Sequence, residues 1–266
     1  MEERCGPRPI LVSRIVFDVC LIILIWIPIP IFRFVASPYK RGFYCDDESI
    51  RYPYRHSTVS NELLYVLGFG IPIICITLTE AYRLFRHDRR IRGCALEPFH
   101  TVNGVPVHPF ISRLYLYIGY FILGAAFNVF LTDVGKYTIG RLRPHFIHAC
   151  YGGHRILIND SVCADHRYVE EKDMHCTQDP AYVREARLSF PSGHSSLSFY
   201  SMVFIVLYLE ARGTRFVSRI VKPILQLIFL TLAVFTALTR VSNYKHHPTD
   251  VLSGGILGIS VALILV

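Results

Sequence analysis

The chain has 266 residues, of which 52% are hydrophobic and only 18% charged, and its mean hydropathy is +0.37. This is more apolar surface than one soluble core normally uses, so the composition indicates a polytopic membrane protein and argues against a soluble domain. The formal charge of +8 would suit a nucleic-acid partner. The basic residues lie in short patches between apolar runs, however, and membrane topology explains them without nucleic acid.

Six apolar runs are each close to the ~20 residues that cross the hydrocarbon layer. The first is too long for the hydrophobic region of a secretory signal, and no small-residue cleavage site follows it, which disfavours a cleaved signal. The sequence therefore predicts an all-α bundle of six transmembrane helices in a single domain covering residues 1–266. The predicted spans are 15–35, 62–82, 111–134, 195–211, 220–238 and 249–266.

Basic clusters set the expected orientation of these spans. Lys and Arg residues are dense in the N-terminal segment and in the loops 83–110 and 210–222, so these segments and both termini should face the cytoplasm. The outer loops are then about 36–61, 135–194 and 239–248. The triplet Asn159-Asp160-Ser161 in the second outer loop makes Asn159 a candidate glycosylation site.

Cysteines are compatible with this orientation, because four of them fall in the predicted outer loops, where oxidising conditions permit disulfides. Four cysteines allow three pairings, and free buried thiols are an equal alternative. No Cys-x-x-Cys or histidine-rich spacing indicates a zinc site. The outer cysteines are Cys45, Cys150, Cys163 and Cys176.

A first polar cluster, in the segment KYTIGRLRPHF, holds Lys136 and Arg143 where the third span ends. On a continuing helix their seven-residue offset is about two turns, so both cations would project from one face. Such a pair suits a phosphate, since Arg offers a fork of donors and Lys a point charge. A basic stop signal is the alternative, but such signals are expected on the cytoplasmic side.

A second cluster, PSGHSS, opens the fourth span, and Pro191 suits its first helical position. The N–H groups of Ser192, Gly193 and His194 would point toward a bound anion, and Gly193 lets the backbone approach it closely. His194 would stand beside that anion, where an imidazole can transfer a proton near neutral pH. The alternative is an ordinary helix start.

A third cluster, TRVSNYKHHPTD, brings Arg240, His246 and Asp250 to the membrane surface before the last span. An Asp four residues after a His can accept the imidazole N–H, fix the tautomer and leave the other nitrogen free. His247 is also close enough in sequence to reach Asp250, so the spacing leaves the choice of nucleophile open. Ionisable residues that merely anchor the span are the alternative.

The three clusters flank spans three, four and six at the same predicted membrane face. If these span ends meet, they assemble three side-chain cations, a set of backbone N–H groups and two histidines. This inventory matches phosphoryl transfer, in which a protein positions the phosphate, neutralises its charge, supplies a nucleophile and protonates the leaving group.

At these residues the chain resembles the type 2 phosphatidate phosphatase superfamily. The segment RGFYCDDESIRYPY and the six-span layout are similar to those of the animal lipid phosphate phosphatases. The resemblance implies an integral membrane, metal-independent phosphatase without a cofactor. Its implied substrates are phosphatidate, lysophosphatidate, sphingosine 1-phosphate and ceramide 1-phosphate, reached from the extracellular or luminal face. The matching pattern is Lys136-x6-Arg143-Pro144, then Pro191-Ser192-Gly193-His194, then Arg240-x5-His246-x3-Asp250.

The resemblance also implies roles for the matching positions. His246 would be the nucleophile that forms a phosphohistidine, Asp250 its orienting partner and His194 the acid for the leaving alcohol. Two positions depart from the animal pattern: Asn243 replaces a more usual Asp, and Pro248 replaces a frequent Trp. These departures bear on substrate preference more than on activity. The residues implied to hold the phosphate are Lys136, Arg143, Ser192, Gly193 and Arg240.

Other interpretations make different demands on the sequence. A vanadate-dependent haloperoxidase would share the anion site but is expected to be soluble. A noncatalytic membrane scaffold or lipid-binding relative would be expected to lack some motif residues, and all are present. A transporter needs ionisable residues deep in several spans, whereas Asp18 and Glu80 lie near the predicted cytoplasmic ends. The preferred lipid, plasma or internal membrane, and formation of a homo-oligomer are left open.

Overall fold

Helices dominate the computed structural model of the chain, which describes residues 8–10, 12–90, 100–102, 104–152, 168–213 and 220–266. The nearly all-α fold is therefore confirmed. In chain order the helices are α1 (Val12–Trp26), α2 (Pro28–Phe34), α3 (Asn61–Arg90), α4 (Pro109–Ile139), α5 (Phe146–Tyr151), α6 (Pro180–Glu185), α7 (Gly193–Arg212), α8 (Val221–Ser242) and α9 (Pro248–Leu265).

Five segments of the described chain are long and apolar enough to cross a membrane, and they match the predicted spans one, two, three, five and six to within a few residues at each end. The protein is thus an integral membrane protein. The first segment is built from two helices, because Pro28 and Pro30 cannot continue the hydrogen-bond ladder of α1. The five segments are Val12–Phe34, Asn61–Phe85, Pro109–Ile139, Val221–Ser242 and Pro248–Leu265.

The predicted fourth span, residues 195–211, lies within α7, but the count of six spans is not confirmed. α7 packs against α3, α4, α8 and α9, so most of its side chains face protein and need not be apolar. Its serines show the effect, because all four are buried within the bundle. They are Ser195, Ser196, Ser198 and Ser201.

Two glycines of α9 set its close packing against α7. A Cβ atom at Gly254 would collide with the carbonyl oxygen of Ser192, and one at Gly258 would collide with that of Ser196. Small residues four apart let the backbones of membrane helices approach closely. The backbone N–H of Ser192 also donates to the carbonyl of Asp250 at 3.0 Å. The first turns of α7 and α9 are therefore held side by side.

The far end of the bundle carries a fully buried carboxylate, Glu80 of α3. Glu80 accepts hydrogen bonds from the Tyr208 hydroxyl at 2.9 Å and the Arg212 Nε at 3.2 Å, and Arg113 lies 3.6 Å away. Because Tyr208 and Arg212 belong to α7 and Arg113 to α4, this network ties three helices together. It compensates the burial of a charge that would otherwise be costly.

A second hydrophobic core lies outside the bundle, around Phe146 of α5. The disulfide Cys150–Cys176 lies in this core and selects one of the predicted pairings, and Cys45 is disulfide-bonded as well. Asn159 and Cys163 lie outside the described residues. The short strands are β1 (Arg8–Ile10), β2 (Phe43–Tyr44), β3 (His100–Val102), β4 (Val105–Pro106) and β5 (Tyr168–Val169).

The strands form two small sheets. In one, β1 pairs with β3 in parallel and β3 with β4 in antiparallel fashion. In the other, β2 pairs antiparallel with β5, which joins the connection before α3 to the connection before α7. The second sheet contributes Phe43 and Val169 to the outer core, so this core fixes the chain segments that border the polar end of the bundle.

Candidate active site

The three polar clusters of the sequence converge at the end of the bundle where α7 and α9 begin and α8 ends. The backbone N–H of His246 donates to the carbonyl of Arg240 at 3.3 Å, which links the third cluster to α8. The N–H of Ser189, just before the second cluster, donates to the carbonyl of Arg141 in the first cluster at 3.0 Å. Backbone hydrogen bonds therefore hold the clusters against one another.

His246 is buried, and its Nδ1 atom lies 2.7 Å from the carbonyl oxygen of Ser189. A carbonyl only accepts, so Nδ1 carries the proton and Nε2 of the neutral ring keeps its lone pair. Burial, reinforced by the positive charges of Arg143, Arg240 and Lys136, lowers the pKa of His246 well below its ordinary value. The imidazole is thus neutral at physiological pH, as a nucleophile must be.

His194 lies in the first turn of α7, with its Nε2 atom 3.2 Å from the carbonyl oxygen of Val59. By the same reasoning Nε2 is the protonated nitrogen, which leaves Nδ1 for proton exchange. Nη1 of Arg240 lies 3.4 Å from the same carbonyl oxygen. The imidazole of His194 and the guanidinium of Arg240 are therefore neighbours around one backbone carbonyl.

Lys136 approaches the start of α7 from the last turn of α4. A Cβ atom at Gly193 would lie 3.2 Å from the Lys136 Nζ atom, so a larger residue there would intrude on the space beside the ammonium. Lys136, Gly193 and His194 line a common cavity of about 70 Å³. A glycine at this position thus permits the lysine and the helix start to share one small pocket.

Arg143 and Arg240 each bury a hydrogen-bond donor that has no partner. The two residues are 7% and 3% exposed, and the Nε atom of each is among the unpaired buried atoms of the described chain. Unsatisfied buried donors are costly and need an explanation such as an unoccupied ion site. A bound oxyanion would satisfy both guanidinium groups with charge-assisted hydrogen bonds.

A larger cavity of about 390 Å³ extends from these two arginines. Besides Arg143 and Arg240, it is lined by Lys245, by His145 and by polar residues that precede α3 or open it. Burial, with smaller contributions from neighbouring cations, lowers the pKa of His145 to about 4. The cavity therefore brings three cations together with two histidines, two carboxylates and other polar side chains.

The expectation that Lys136 and Arg143 share one helix face is wrong. α4 ends at Ile139, and Gly140 follows in the left-handed conformation with a φ of 57°. Because glycine adopts this conformation at little cost, it stops the helix and turns the chain. Arg143 reaches the site from the following connection, so the two cations approach from different segments.

The expected hydrogen bond between Asp250 and His246 is also absent from the described residues. The Asp250 carboxylate instead accepts from Arg141 Nη1 at 2.6 Å and from the Ser189 hydroxyl at 2.6 Å. It also accepts from the backbone N–H of His247 at 3.0 Å, because it lies in the first turn of α9 and caps that helix. Asp250 therefore acts on His246 only indirectly, through Ser189.

One of the three backbone N–H groups that were predicted to bind an anion at the start of α7 is already hydrogen-bonded within the protein. The N–H of Ser192 donates to the carbonyl of Asp250, and the Ser192 hydroxyl is the N-cap of α7, accepting from the Ser195 N–H at 3.4 Å. The N–H groups of Gly193 and His194 have no acceptor within the helix, as for any first turn. These two donors remain for an anion.

The two adjacent histidines of the third cluster differ in their surroundings. The His247 Nε2 atom lies 3.0 Å from the carbonyl oxygen of Leu142. Burial, followed by the charge of Arg141, lowers the pKa of His247, whereas the hydrogen bond to Leu142 and the carboxylates of Asp250 and Asp47 oppose this shift. The two residues that the spacing left equivalent therefore have different hydrogen-bond partners.

Three residues of this site were not singled out from the sequence. Arg141 and Lys245 lie inside the segments KYTIGRLRPHF and TRVSNYKHHPTD, so their charge was visible, but nothing in the spacing marked them as partners. Ser189 contributes mainly a backbone carbonyl, which any residue could supply and no sequence pattern would reveal.

Comparison with known proteins places these residues in a family. Residues 116–266, which contain all three clusters, match the family model described as the PAP2 superfamily. The chain is similar to phospholipid phosphatase 2 of Homo sapiens, with 38% identity covering 95% of this chain and 81% of that protein. It is also similar to phospholipid phosphatase 1 of Rattus norvegicus, with 39% identity covering 95% and 83%. No solved structure matches the chain.

Proposed function

This chain belongs to the PAP2 superfamily and is an enzyme of the phospholipid phosphatase class, and we propose that it hydrolyses phosphomonoesters of membrane lipids through a phosphohistidine. The substrates are lipids of the phosphatidate, lysophosphatidate, sphingosine 1-phosphate and ceramide 1-phosphate type. The relatives named phospholipid phosphatase support this class of substrate, and the membrane-spanning segments would place the site where such lipids lie.

One observation carries the proposal: the two histidines share the same positive surroundings. The imidazole of His194 and the guanidinium of Arg240 approach the same backbone carbonyl. Lys136 lines a cavity with His194, and the backbone N–H of His246 donates to the carbonyl of Arg240. These residues come from segments far apart in sequence, and the fold has brought them to one end of the bundle. Two imidazoles around one cationic site suit a phosphate that is attacked from one side and protonated on the other.

In the first step the Nε2 lone pair of His246 attacks phosphorus in line with the bond to the lipid oxygen. A P–N bond forms and the P–O bond breaks, with its electron pair going to the departing alcohol. Nδ1 of His194 takes up a proton when the bound phosphate dianion offsets the neighbouring cations, and it gives that proton to the departing oxygen. The Ser189 carbonyl keeps the other proton of His246 on Nδ1 and stabilises the positive ring that forms.

In the second step the neutral His194 takes a proton from water, and the water oxygen attacks phosphorus. The P–N bond breaks and its electron pair returns to Nε2 of His246, which releases inorganic phosphate. Lys136, Arg143 and Arg240 neutralise the charge on the transferred group in both steps, together with the N–H groups of Gly193 and His194. In this mechanism fixed cations fill the role that a metal ion plays elsewhere.

The membrane arrangement is part of the proposal. We propose that α7 is the sixth span, surrounded by the other helices rather than by lipid. The site then lies at the extracellular or luminal face, with both termini cytoplasmic, because the densest basic clusters lie in the opposite connections.

Phosphate release from a panel of lipid phosphates in detergent micelles tests this function. The proposal expects turnover that vanadate inhibits and EDTA leaves unchanged, since vanadate mimics the phosphoryl group and no metal is involved. The variant His246→Ala should elute as the same monodisperse species and show no turnover above background. Turnover of this variant at the wild-type rate, or loss of wild-type turnover in EDTA, contradicts the mechanism.

A further inference from the structure

Lys245 directly precedes His246, and the motif of the family does not include it. Its side chain is 5% exposed, and its Nζ atom lies 3.6 Å from the centroid of the Tyr54 ring. A cation over an aromatic face is attracted by the ring quadrupole, which fixes the position of the ammonium. The ring of Tyr54 thus holds a buried positive charge one residue away from the proposed nucleophile.

No carboxylate in the part of the chain that the structure describes forms an ion pair with this ammonium. Glu185, the carboxylate whose charge acts on Lys245, pairs with Arg143 at 2.9 Å instead. Long cationic side chains are almost never buried without a partner, because the cost of removing the charge from water is large. The ammonium of Lys245 therefore has the surroundings expected of a group that binds an anionic ligand.

The cavity that Lys245 lines is large enough to hold such a ligand beside the ammonium. Lys245 lines the same 390 Å³ space as Arg143 and Arg240. Two carboxylates also line it, Glu185 in its pair with Arg143 and Glu62 at the exposed start of α3. The ammonium thus shares this cavity with the two guanidinium groups that are proposed to hold the phosphate.

We propose that Lys245 is a substrate-binding residue that contacts the phosphate group of the lipid from the cavity side. This inference rests on the proposed phosphatase function. Lys245 adds a fourth cation to Lys136, Arg143 and Arg240. Because it lines the cavity beside the two arginines and transfers no group itself, it acts mainly on the binding of the phosphomonoester dianion and less on the chemical steps.

The contribution of Lys245 depends on pH. Burial, followed by the charges of Arg143 and Arg240, lowers the pKa of Lys245 to about 8. The charged and titratable groups that face it are Arg143 of the connection after α4, Arg240 of α8, Glu185 of α6, His145 and Tyr54. The ammonium is charged below pH 8 and becomes neutral above it, so its attraction for the phosphate fades as the pH rises.

Three purified variants in detergent micelles test the proposal: Lys245→Met, Lys245→Arg and the control Lys172→Met. Lys172 is exposed and pairs with Glu170 outside the cavity. At pH 7, Lys245→Met should raise KM for a lipid phosphate about tenfold, as for loss of one charged contact, and change kcat less than about threefold. Lys245→Arg should keep KM near the wild-type value, and Lys172→Met should match the wild type.

The ratio of wild-type to Lys245→Met kcat/KM, measured from pH 6.5 to 9.5, isolates the titration of this one residue. It should fall toward one as the pH passes through 8, whatever other groups titrate. An unchanged KM in Lys245→Met at pH 7, or an increase shared by Lys172→Met, overturns the proposal. So does a ratio that stays constant with pH.

A second measurement separates failure of this proposal from failure of the proposed function. Vanadate should raise the thermal midpoint of the wild-type protein and of Lys245→Arg, and Lys245→Met should need about tenfold more vanadate for the same rise. A wild-type protein that hydrolyses no lipid phosphate refutes the function, while the vanadate comparison still tests Lys245. Equal vanadate titrations for wild type and Lys245→Met refute the role of Lys245 alone.

Discussion

The Nδ1 atom of His246 donates its proton to the carbonyl oxygen of Ser189 across 2.7 Å. A backbone carbonyl, rather than a carboxylate, therefore fixes the tautomer of the proposed nucleophile. Asp250 holds Ser189 through its hydroxyl at 2.6 Å and binds Arg141 on its other oxygen. The carboxylate is thus a support for the segment that carries the carbonyl, and its removal should affect stability as well as activity.

The variants Asp250→Asn and Ser189→Ala separate support from direct orientation. Asp250→Asn weakens an ion pair whose carboxylate is fully buried, which should destabilise the protein by about 3 kcal/mol and lower its thermal midpoint. Ser189→Ala keeps the backbone carbonyl, so kcat should stay within about threefold of the wild type and the loss of stability near 1 kcal/mol. Thermal unfolding and turnover in detergent measure both. A larger loss of kcat in Ser189→Ala than in Asp250→Asn would contradict this assignment.

The close packing of α9 against α7 predicts a large effect for a small substitution. Gly258→Ala places a methyl group against the carbonyl of Ser196, so the helices must separate and the thermal midpoint should fall. Gly119→Ala on α4 is the matched control, because a Cβ there meets no atom within 4 Å. The control should be neutral or slightly stabilising, by up to about 1 kcal/mol, since alanine favours helix over glycine. Equal midpoints for the two variants would show that α7 and α9 are not packed at this distance.

Buried His145 predicts a loss of stability in acid. Its pKa is about 4 in the folded protein, whereas an unfolded chain titrates near 6.5. The unfolded state therefore binds more protons between these values, and the fold should lose about 1.4 kcal/mol per pH unit as the pH falls from 6.5 to 4. His145→Gln should flatten this slope, and the exposed control His175→Gln should keep it. Thermal midpoints across pH measure the slopes, and identical slopes in all three proteins would refute the prediction.

The ion pair between Glu185 and Arg143 predicts competition with bound phosphate. The carboxylate of Glu185 occupies Nη1 of Arg143 at 2.9 Å, so it must share or release that guanidinium when an anion binds. Glu185→Gln should therefore strengthen inhibition by inorganic phosphate several-fold, because a neutral amide competes less. Glu171→Gln, which removes the carboxylate that pairs with Lys40 at 2.8 Å, is the control. Inhibition constants measure the effect, and weaker inhibition in Glu185→Gln would show that Glu185 supports anion binding instead.

Much of the fold follows from hydropathy, because five of the six predicted spans correspond to helical segments that are long and apolar enough to cross a membrane. The predicted number of six spans was not confirmed because of α7, which packs against four neighbouring helices. The buried hydroxyls of Ser195 and Ser196 donate to backbone carbonyls inside the bundle, so the hydropathy of a central helix does not report its position. The outer core around Phe146 was also not predicted, since it joins short segments that have no periodicity.

The same distinction holds for the candidate site: the residue types could be predicted from the sequence, whereas the contacts between them could not. The polar clusters predicted His194, the cations and a histidine at 246 or 247 from residue type, and the family resemblance selected His246. The spacing did not identify Ser189 as the partner of His246, because a backbone carbonyl leaves no mark in the sequence. The spacing also led to the wrong prediction that the helix continues to Arg143. Gly140 ends this helix, and a local pattern of apolar residues could not indicate that end.

Trapping the covalent intermediate tests the central claim most directly. The variant His194→Asn lacks the base for the second step, but a substrate with a good leaving group, such as p-nitrophenyl phosphate, needs no acid in the first. Rapid quenching into alkali and mass spectrometry of peptides should then show one phosphoryl group, on His246. The double variant His194→Asn/His246→Ala should show none. A phosphoryl group on His247, or stoichiometric product release from His194→Asn with no phosphorylated histidine, would contradict the account.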